Sequence, residues 1–429
     1  MQIYLDTVGC RLNQSEIETF ARQFRAAGHE LVAEPAQADL VVINTCAVTG
    51  QAAADSRKKI RRAQRAGAAE IVVTGCWSSL EPAKAARLKG VSQVVSNQEK
   101  ATLVPHVLDL APETFDLEPV EREPIPGARL RTRAFIKVQD GCDNRCTFCI
   151  TTVARGAGRS RTLAAVERDI QAALDGGAQE IVLTGVHLGS WGQDFENPRP
   201  LRALVEAILA NHSLPRLRLS SLEPWDLDED FFNLWQDPRL CRQLHLPLQS
   251  GSDSTLRRMA RRTTQRSFAR LVEAARRNCP EIAITTDLIA GFPGESEQEF
   301  AEGRAFVEAM QFAGGHVFTY SARPGTAAAK MPGQVPHARR KARNAALRAL
   351  LAESGARYQR QFLDQVLPVL WESATRLDPQ GWTLSGLTDN YLRVHARAPQ
   401  QLWNTITPVR LTGLQPGGLN GELVEIPSA

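Results

Sequence analysis

The chain lacks any long hydrophobic run. Hydrophobic residues make up 43% of its 429 positions, yet no stretch approaches the ~18 uninterrupted apolar residues of a membrane-crossing helix, so no membrane span is expected. It also lacks the basic head and apolar run of a secretory signal, because Met1-Gln2-Ile3-Tyr4-Leu5-Asp6 reads directly as a strand. Charge of one sign is missing too. The 51 basic and 47 acidic residues leave a net charge of +4, too mild to argue nucleic-acid binding from composition, so local patches must carry that case. Together these absences point to a cytoplasmic protein.

What is present is length and cysteine. A chain of 429 residues is too long for one ordinary core, and two or three domains are expected. Its eight cysteines read as reduced thiols in a cytosolic setting. Thiols in a tight cluster suggest metal, whereas scattered ones suggest small buried hydrophobes.

The first hundred residues repeat one unit three times. Gln2–Thr7 reads as a strand ending in Gly9-Cys10, followed by a helical stretch near Asn13–Ala27. Leu40–Ile43 ends in Asn44-Thr45-Cys46 before a helix over 52–66, and Ile71–Val73 ends in Thr74-Gly75-Cys76. Short β-rich runs alternating with helices predict an α/β domain over 1–110 with a parallel, doubly wound sheet. Residues 111–132, rich in proline and charge, read as a linker.

Alternation resumes over 133–330. Six strands are expected at Phe135–Gln139, Glu180–Leu183, Arg216–Leu219, Gln243–Leu246, Ala283–Ile289 and His316–Tyr320. Helices fit at Leu163–Leu174, Leu201–Leu209, Phe268–Arg277 and Glu297–Met310, which makes a partial (β/α)6 barrel. A helical connection over 331–364 leads to a tail, 365–429, of short strands at Leu367–Glu372, Trp382–Thr388, Tyr391–Ala396, Ile406–Leu411 and Glu422–Ile426. That tail reads as a small all-β barrel.

The strongest local signal is Gly141-Cys142-Asp143-Asn144-Arg145-Cys146-Thr147-Phe148-Cys149, a C-x3-C-x2-C loop just after a strand. Three thiolates this close can converge on one metal centre. Structural zinc takes four protein ligands, and no fourth cysteine or histidine lies nearby. A cubane iron–sulfur cluster on three thiolates leaves one iron open for a small molecule. A partial zinc site remains the other reading. Cys10, Cys46 and Cys76 fit no local motif, but each lies just beyond the carboxyl end of an expected parallel strand, along the edge where doubly wound sheets bind ligands. A second cluster and three core thiols are equal readings of that position. Cys241 and Cys279 have no partner at useful spacing and read as buried thiols.

The C-x3-C-x2-C spacing resembles the defining motif of the radical S-adenosylmethionine superfamily. Along nearly its whole length the chain is similar to the methylthiotransferases of that class, through Thr7-Val8-Gly9-Cys10-Arg11-Leu12-Asn13-Gln14, Asn44-Thr45-Cys46-Ala47-Val48-Thr49, Thr74-Gly75-Cys76 and Gly141 to Cys149. Three further stretches, Leu183 to Gly189, Leu219 to Trp225 and Arg323-Pro324-Gly325-Thr326, resemble most closely the branch acting on threonylcarbamoyladenosine in tRNA. Other branches act on isopentenyladenosine in tRNA or on a ribosomal-protein aspartate. There is one departure. After Cys149 the family reads isoleucine–isoleucine–proline–tyrosine–alanine–arginine–glycine, and here Ile150-Thr151-Thr152-Val153-Ala154-Arg155-Gly156 replaces the Pro–Tyr pair.

The resemblance implies two 4Fe–4S clusters, one on Cys142, Cys146 and Cys149 and one on Cys10, Cys46 and Cys76, together with S-adenosylmethionine. It implies that a 5′-deoxyadenosyl radical abstracts hydrogen from carbon 2 of the adenine and that a methylthio group is transferred from the second cluster. It further implies a TRAM-like RNA-binding tail, the tRNA anticodon stem-loop as partner and a reductant protein. Cofactor contacts are expected at Thr184 and Gly185, at Gly291 in Gly291-Phe292-Pro293-Gly294-Glu295, and at Ser220 and Gln249 near strand ends. A plain turn is the competing reading of the glycine pairs. His187 and His245 read as polar core groups. A different class of reading is a non-catalytic RNA-binding iron–sulfur protein.

For RNA, Arg57, Lys58, Arg61, Arg62 and Arg65 form one helical stripe suited to phosphates. Arg257, Arg258, Arg261 and Arg262 form a second group, and Arg339, Arg340, Lys341 and Arg343 a third. Any of them reads equally as a solvated face. Trp382, Tyr391 and Trp403 offer rings for base stacking or for the core of the small barrel.

Overall fold

The computed structural model describes residues 1–111, 132–378 and 381–424. The expected linker falls almost wholly outside them, as do residues 425–426 of the last expected strand.

The first unit carries β1 (Gln2–Thr7), α1 (Arg11–Ala26), β2 (Glu30–Leu31), β3 (Leu40–Thr45), α2 (Gly50–Arg65), β4 (Glu70–Gly75), α3 (Cys76–Leu80), α4 (Pro82–Ala86), β5 (Val91–Val94) and α5 (Leu103–Leu108). All strand pairs are parallel, in the order β2-β1-β3-β4-β5. The short edge strands β2 and β5 join the three strands legible in the sequence. β3 is buried along its whole length, as its unbroken Leu-Val-Val-Ile run requires of a strand covered on both faces. Ile3, Phe20, Phe24 and Val42 pack on one face, and Val41, Ile43, Ile60 and Trp77 on the other.

The second unit begins with β6 (Arg133–Lys137) and β7 (Gln139–Asp140), then α6 (Thr151–Arg155), β8 (Arg159–Ser160), α7 (Leu163–Asp175), β9 (Glu180–Thr184), α8 (Leu201–Asn211), β10 (Leu217–Leu219) and β11 (Gln243–His245). It continues through α9 (Asp253–Arg258), α10 (Gln265–Asn278), β12 (Ala283–Ala290), α11 (Glu297–Ala309) and β13 (Gly314–Thr319). Two parallel three-stranded sheets, β6-β9-β10 and β11-β12-β13, meet through the bridge Ser221 to His245 and form an open partial barrel of six strands. The helices start where hydroxyl caps allow. Thr162 accepts from Ala165 N, and Ser296 with Glu299 forms a reciprocal capping box.

After α12 (His337–Arg360) comes a closed barrel of β14 (Val366–Asp378), β15 (Gly381–Thr388), β16 (Arg393–Ala398), β17 (Ile406–Gln415) and β18 (Gly418–Leu423). Its core holds Val369, Trp371, Leu384, Val394 and Val409. The third strand begins two residues later than the sequence suggests, because Tyr391 sits at φ 67°, a left-handed turn that a ladder cannot accommodate. The fifth begins four residues earlier than expected, at Gly418.

This barrel docks on the amino ends of the larger barrel's strands through arginines. Arg216 donates to the Leu387 and Pro368 carbonyl oxygens at 3.0 and 2.7 Å, and Arg133 pairs with Glu372 at 2.6 Å. Arg242 pairs with Asp389 at 2.6 Å. The fully buried Arg218 grips Glu180 at 2.7 and 3.0 Å, donates to the Asp389 carbonyl oxygen and stacks 5.0 Å from the Tyr391 ring centre. Among the described residues no helix is long and apolar enough to cross a membrane.

Candidate functional site

The strand order of the first sheet reverses its winding between β1 and β3, which opens a crevice at the carboxyl ends of those strands. Cys10 and Cys46 follow those two strands, and Cys76 follows β4. Registers pair Thr7 with Asn44 and Thr45 with Gly75, so Cys46 and Cys76 leave adjacent strands about 4.8 Å apart. Gly9, at φ +111°, packs so closely on Cys46 that a Cβ there would lie 2.6 Å from its Sγ. The fold therefore draws the three distant cysteines into one group. Burial, opposed by a backbone hydrogen bond at Val48 and by Arg155 and aided by neighbouring Cys10 and Cys76, pushes the Cys46 thiol up to about 11.

The other three cysteines occupy the loop after β7. Gly141 enters it at φ +71°, where a Cβ would lie 1.8 Å from the Ala157 carbonyl oxygen, so no other residue fits that turn. Cys142 N donates to the Gly156 carbonyl oxygen and Cys149 N to that of Cys146, each at 3.0 Å. Gln139, the prop beneath the loop, donates to the Asp140 and Gly141 carbonyl oxygens at 3.0 and 2.8 Å. The buried Arg261 lies 3.8 Å from Cys146 Sγ, pairs with Glu223 at 2.6 Å and stacks over Trp225 at 4.4 Å. Phe148 packs edge-on to Phe292, which ties the loop to the Gly291 turn.

Among the described residues no three Cys, His, Asp or Glu side chains meet closely enough to hold a single ion. A cubane asks for a different donor set, one thiolate on each of three iron corners and a fourth corner free. Two groups of three thiols, each with an arginine near its sulfurs and each behind a glycine too confined for a side chain, fit that requirement.

The expected cofactor residues divide. Ser220 is buried and its hydroxyl has no hydrogen-bond partner among the described residues. Gln249 holds φ 70° at a strand end, with its backbone bonded to Asp287 and Ile289; such strain gathers at ligand sites. Thr184 is buried at the end of β9. Gly185 makes room for Gln139, whose Oε1 a Cβ would approach to 3.0 Å. Gly291 makes room for Arg340 in α12, at 2.2 Å from such a Cβ. Both glycines are closely packed against protein, and Gly291 also holds φ +74°, where a side chain is strained.

His187 is buried as expected, but beside the loop. It bonds Asp226 at 2.5 Å and approaches Asn144 and Cys142. Burial pulls its pKa down, but the bonds to Asp226 and Cys142 outweigh that and raise it to about 10. His245 contacts Thr285 at 3.0 Å and Asp287 at 3.4 Å. Cys241 and Cys279 are buried thiols, and burial pushes Cys241 up to about 12.

Of the basic groups, only the α2 stripe stands clear. Lys58, Arg61, Arg62 and Arg65 are exposed, and Arg57 lies over Trp77 at 5.7 Å. The second group does not form one face, since Arg261 is buried and Arg258 pairs with Glu299. In the third, Arg343 is buried against Glu295 and Glu297, and Arg340 donates to the Tyr320 carbonyl oxygen. Trp382 packs on the small barrel's core and Tyr391 turns onto Arg218, while Trp403 is half-buried.

Sequence reasoning missed the buried network joining the two cysteine groups. Arg155 donates to Glu16 at 3.0 Å, Asp140 at 2.8 Å and Asn13 at 2.8 Å, and Lys100 pairs with Glu16 at 2.7 Å. Burial pushes the Glu16 carboxyl up, but Arg155, Lys100 and Lys137 hold it well below its ordinary value. Arg155 stands in the segment that keeps alanine, arginine and glycine where Pro–Tyr is lost, which is a faint signal. Glu16 and Asn97 had none. Of the replaced positions, Val153 is exposed and the Thr152 hydroxyl donates to the Asn144 carbonyl oxygen at 3.3 Å.

Residues 2–96 match the model of uncharacterized protein family UPF0004, and residues 136–307 match the radical SAM superfamily. A solved radical S-adenosylmethionine methyltransferase, TsrM from Kitasatospora setae, shares the fold at TM-score 0.59 and 16% identity, over 76% of this chain and 75% of that one. Fold and cysteine loop thus define a radical S-adenosylmethionine enzyme, the class that uses a 4Fe–4S cluster and S-adenosylmethionine. The threonylcarbamoyladenosine tRNA methylthiotransferase MtaB of Bacillus subtilis is 35% identical over 94% of this chain and 92% of its own length. The tRNA-2-methylthio-N(6)-dimethylallyladenosine synthase of Cereibacter sphaeroides is 32% identical over 99% of each. The chain belongs to the radical S-adenosylmethionine methylthiotransferase family.

Proposed function

We propose that this chain methylthiolates carbon 2 of N6-threonylcarbamoyladenosine next to the anticodon of tRNA, using two 4Fe–4S clusters and S-adenosylmethionine, in the cytoplasm. Cys142, Cys146 and Cys149 hold the first cluster, and Cys10, Cys46 and Cys76 the second. When bound, these groups supply a carbon radical that removes an unactivated C–H hydrogen and a sulfur for the vacated carbon. The chain's own residues position and enclose. Ser220 and Gln249 face the cofactor at the strand ends, and Arg261 with Trp225 walls the loop beside Cys146. The α2 stripe meets the phosphates of the anticodon stem-loop. A separate reductant protein provides the electron. These roles are shared among modules at 1–110, 133–330, 331–364 and 365–429.

One observation carries the two-cluster part: Cys10, Cys46 and Cys76, 36 and 30 residues apart in sequence, are gathered at one sheet edge beside the cysteine loop. The tRNA part rests on the names of the relatives. Nucleoside mass spectrometry of a strain lacking the protein tests both. The methylthio-threonylcarbamoyl nucleoside should vanish and return with the wild-type chain, but not with Cys46→Ala. Cys142→Ala should in addition abolish 5′-deoxyadenosine formation by the purified protein. Loss of the methylthio-isopentenyl nucleoside instead would assign the chain to the other tRNA branch, as the Cereibacter relative's name would suggest. Normal product with Cys46→Ala would end the two-cluster scheme.

A further inference from the structure

Three consecutive residues closing α6 touch both cysteine groups. Ala154 is buried in the core that Val41, Ile43, Ile71 and Trp77 build beneath the first group. Its carbonyl oxygen accepts from Asn97 Nδ2 at 2.9 Å, and the same nitrogen lies 3.7 Å from Cys76 Sγ. Arg155, 1% exposed at its side chain, donates to Asn13 Oδ1 at 2.8 Å, and that oxygen accepts from the Cys10 thiol at 3.7 Å. On its other side Arg155 donates to Asp140 at 2.8 Å, and Asp140 accepts from Gly141 N at 2.8 Å. The Gly156 carbonyl oxygen accepts from Cys142 N at 3.0 Å.

Charge neutralisation alone does not explain this pattern. Glu16 already has Lys100 at 2.7 Å and Lys137 at 3.5 Å. Asn13 and Asn97 carry no charge, and in each a single amide atom, Asn13 Oδ1 and Asn97 Nδ2, meets both a thiol and this tripeptide. Interfaces between modules of one chain move unless something fastens them. Transfer between two centres tolerates little motion, since a shift of about 1 Å can cost on the order of 100-fold in rate.

We propose that Ala154-Arg155-Gly156, with Asn13 and Asn97, is a yoke that sets the distance and orientation between the two cysteine groups. Its members are positioning residues for the sulfur transfer. The inference rests on the two-cluster reading above.

The test uses the full chain, reconstituted anaerobically, as wild type, Asn97→Ala, Asn13→Ala and Arg155→Lys. Iron and sulfide per chain, magnetic coupling between the reduced clusters, and 5′-deoxyadenosine released per methylthio product are measured. Wild type should hold about eight irons. The variants should load the same iron, show weaker coupling, and release at least about tenfold more deoxyadenosine per product. Arg155→Lys is the decisive arm, because it keeps the charge but loses the planar fork that spans Asn13 and Asp140. Wild-type coupling and ratio in Arg155→Lys and both asparagine variants overturn the yoke and leave the two-cluster reading standing. Should Asn97→Ala fail to load, Asn97→Ser, which keeps a small polar group, is read by the same criteria. A wild-type chain with about four irons overturns the two-cluster reading itself.

Discussion

Replacing Arg218 by methionine tests how the small barrel is held. Arg218 and Glu180 are both wholly buried and joined by two hydrogen bonds of 2.7 and 3.0 Å. Without Arg218, Glu180 keeps Arg216 at 3.9 Å, Arg133 at 4.0 Å and the Cys241 thiol at 3.8 Å. Breaking a buried pair by removing one partner costs about 3–5 kcal/mol, and the two remaining arginines place the loss near the lower end. The Asp389 carbonyl oxygen also loses its 2.8 Å donor. At a urea dependence of about 2 kcal/mol/M, a loss of about 3 kcal/mol lowers the unfolding midpoint by about 1.5 M. Circular dichroism during urea titration measures it, and limited proteolysis shows whether the small barrel is released first. A double variant, Arg218→Met with Glu180→Leu, should recover most of the loss, since an apolar pair leaves no orphaned charge. A single variant shifted by less than about 0.3 M, or a double variant no better than the single, would refute the reasoning. The pair also sets an acid limit. Burial pushes the Glu180 carboxyl up, but Arg218, Arg133 and Arg216 hold it below its ordinary value. Its contribution is therefore present above the unfolded value of about pH 4.3 and is lost as pH falls through the lower folded value. Glu180→Gln should flatten the stability profile below that point.

Gly141→Ala forces a Cβ to 1.8 Å from the Ala157 carbonyl oxygen at a left-handed φ, so the cysteine loop should misfold locally; iron per chain should fall by about half, and unchanged iron would deny the glycine its role. Trp371→Ala removes a fully buried ring whose Nε1 donates to Thr407 at 2.8 Å; a loss of about 3–5 kcal/mol is expected in the small barrel's unfolding, and less than about 1 kcal/mol would mean the core is not built on that residue. Converting Arg61, Arg62 and Arg65 to alanine should weaken tRNA binding and flatten the salt dependence of its affinity by about 0.7–0.9 for each phosphate no longer neutralised; an unchanged salt slope would exclude the α2 stripe from the interface.

Much of this architecture is legible in the sequence. β3, β9 and β12 are unbroken β-rich runs with glycine or threonine at their ends, and the period of the intervening helices is plain. The C-x3-C-x2-C loop is local, so spacing alone brings its thiols together. The basic patches were less legible, because composition does not say which way a side chain points. Arg261 and Arg343 look like surface charge in the sequence and are buried counterions in the fold. Tyr391 reads in the sequence as a base-stacking ring or a core ring of the small barrel and instead closes an arginine cluster between modules.

By itself the sequence determined what depends on neighbours along the chain: the strand and helix runs, the cysteine loop and the glycines that punctuate them. Tertiary structure alone decided what depends on neighbours across it. Strand order and register brought Cys10, Cys46 and Cys76 to one edge, and the packing of α6 against the first sheet placed Arg155 between the two cysteine groups. The physical reason is range. Backbone sterics and hydrogen-bond periodicity act over a few residues, whereas convergence of distant side chains follows only from how the strands pair and the layers stack.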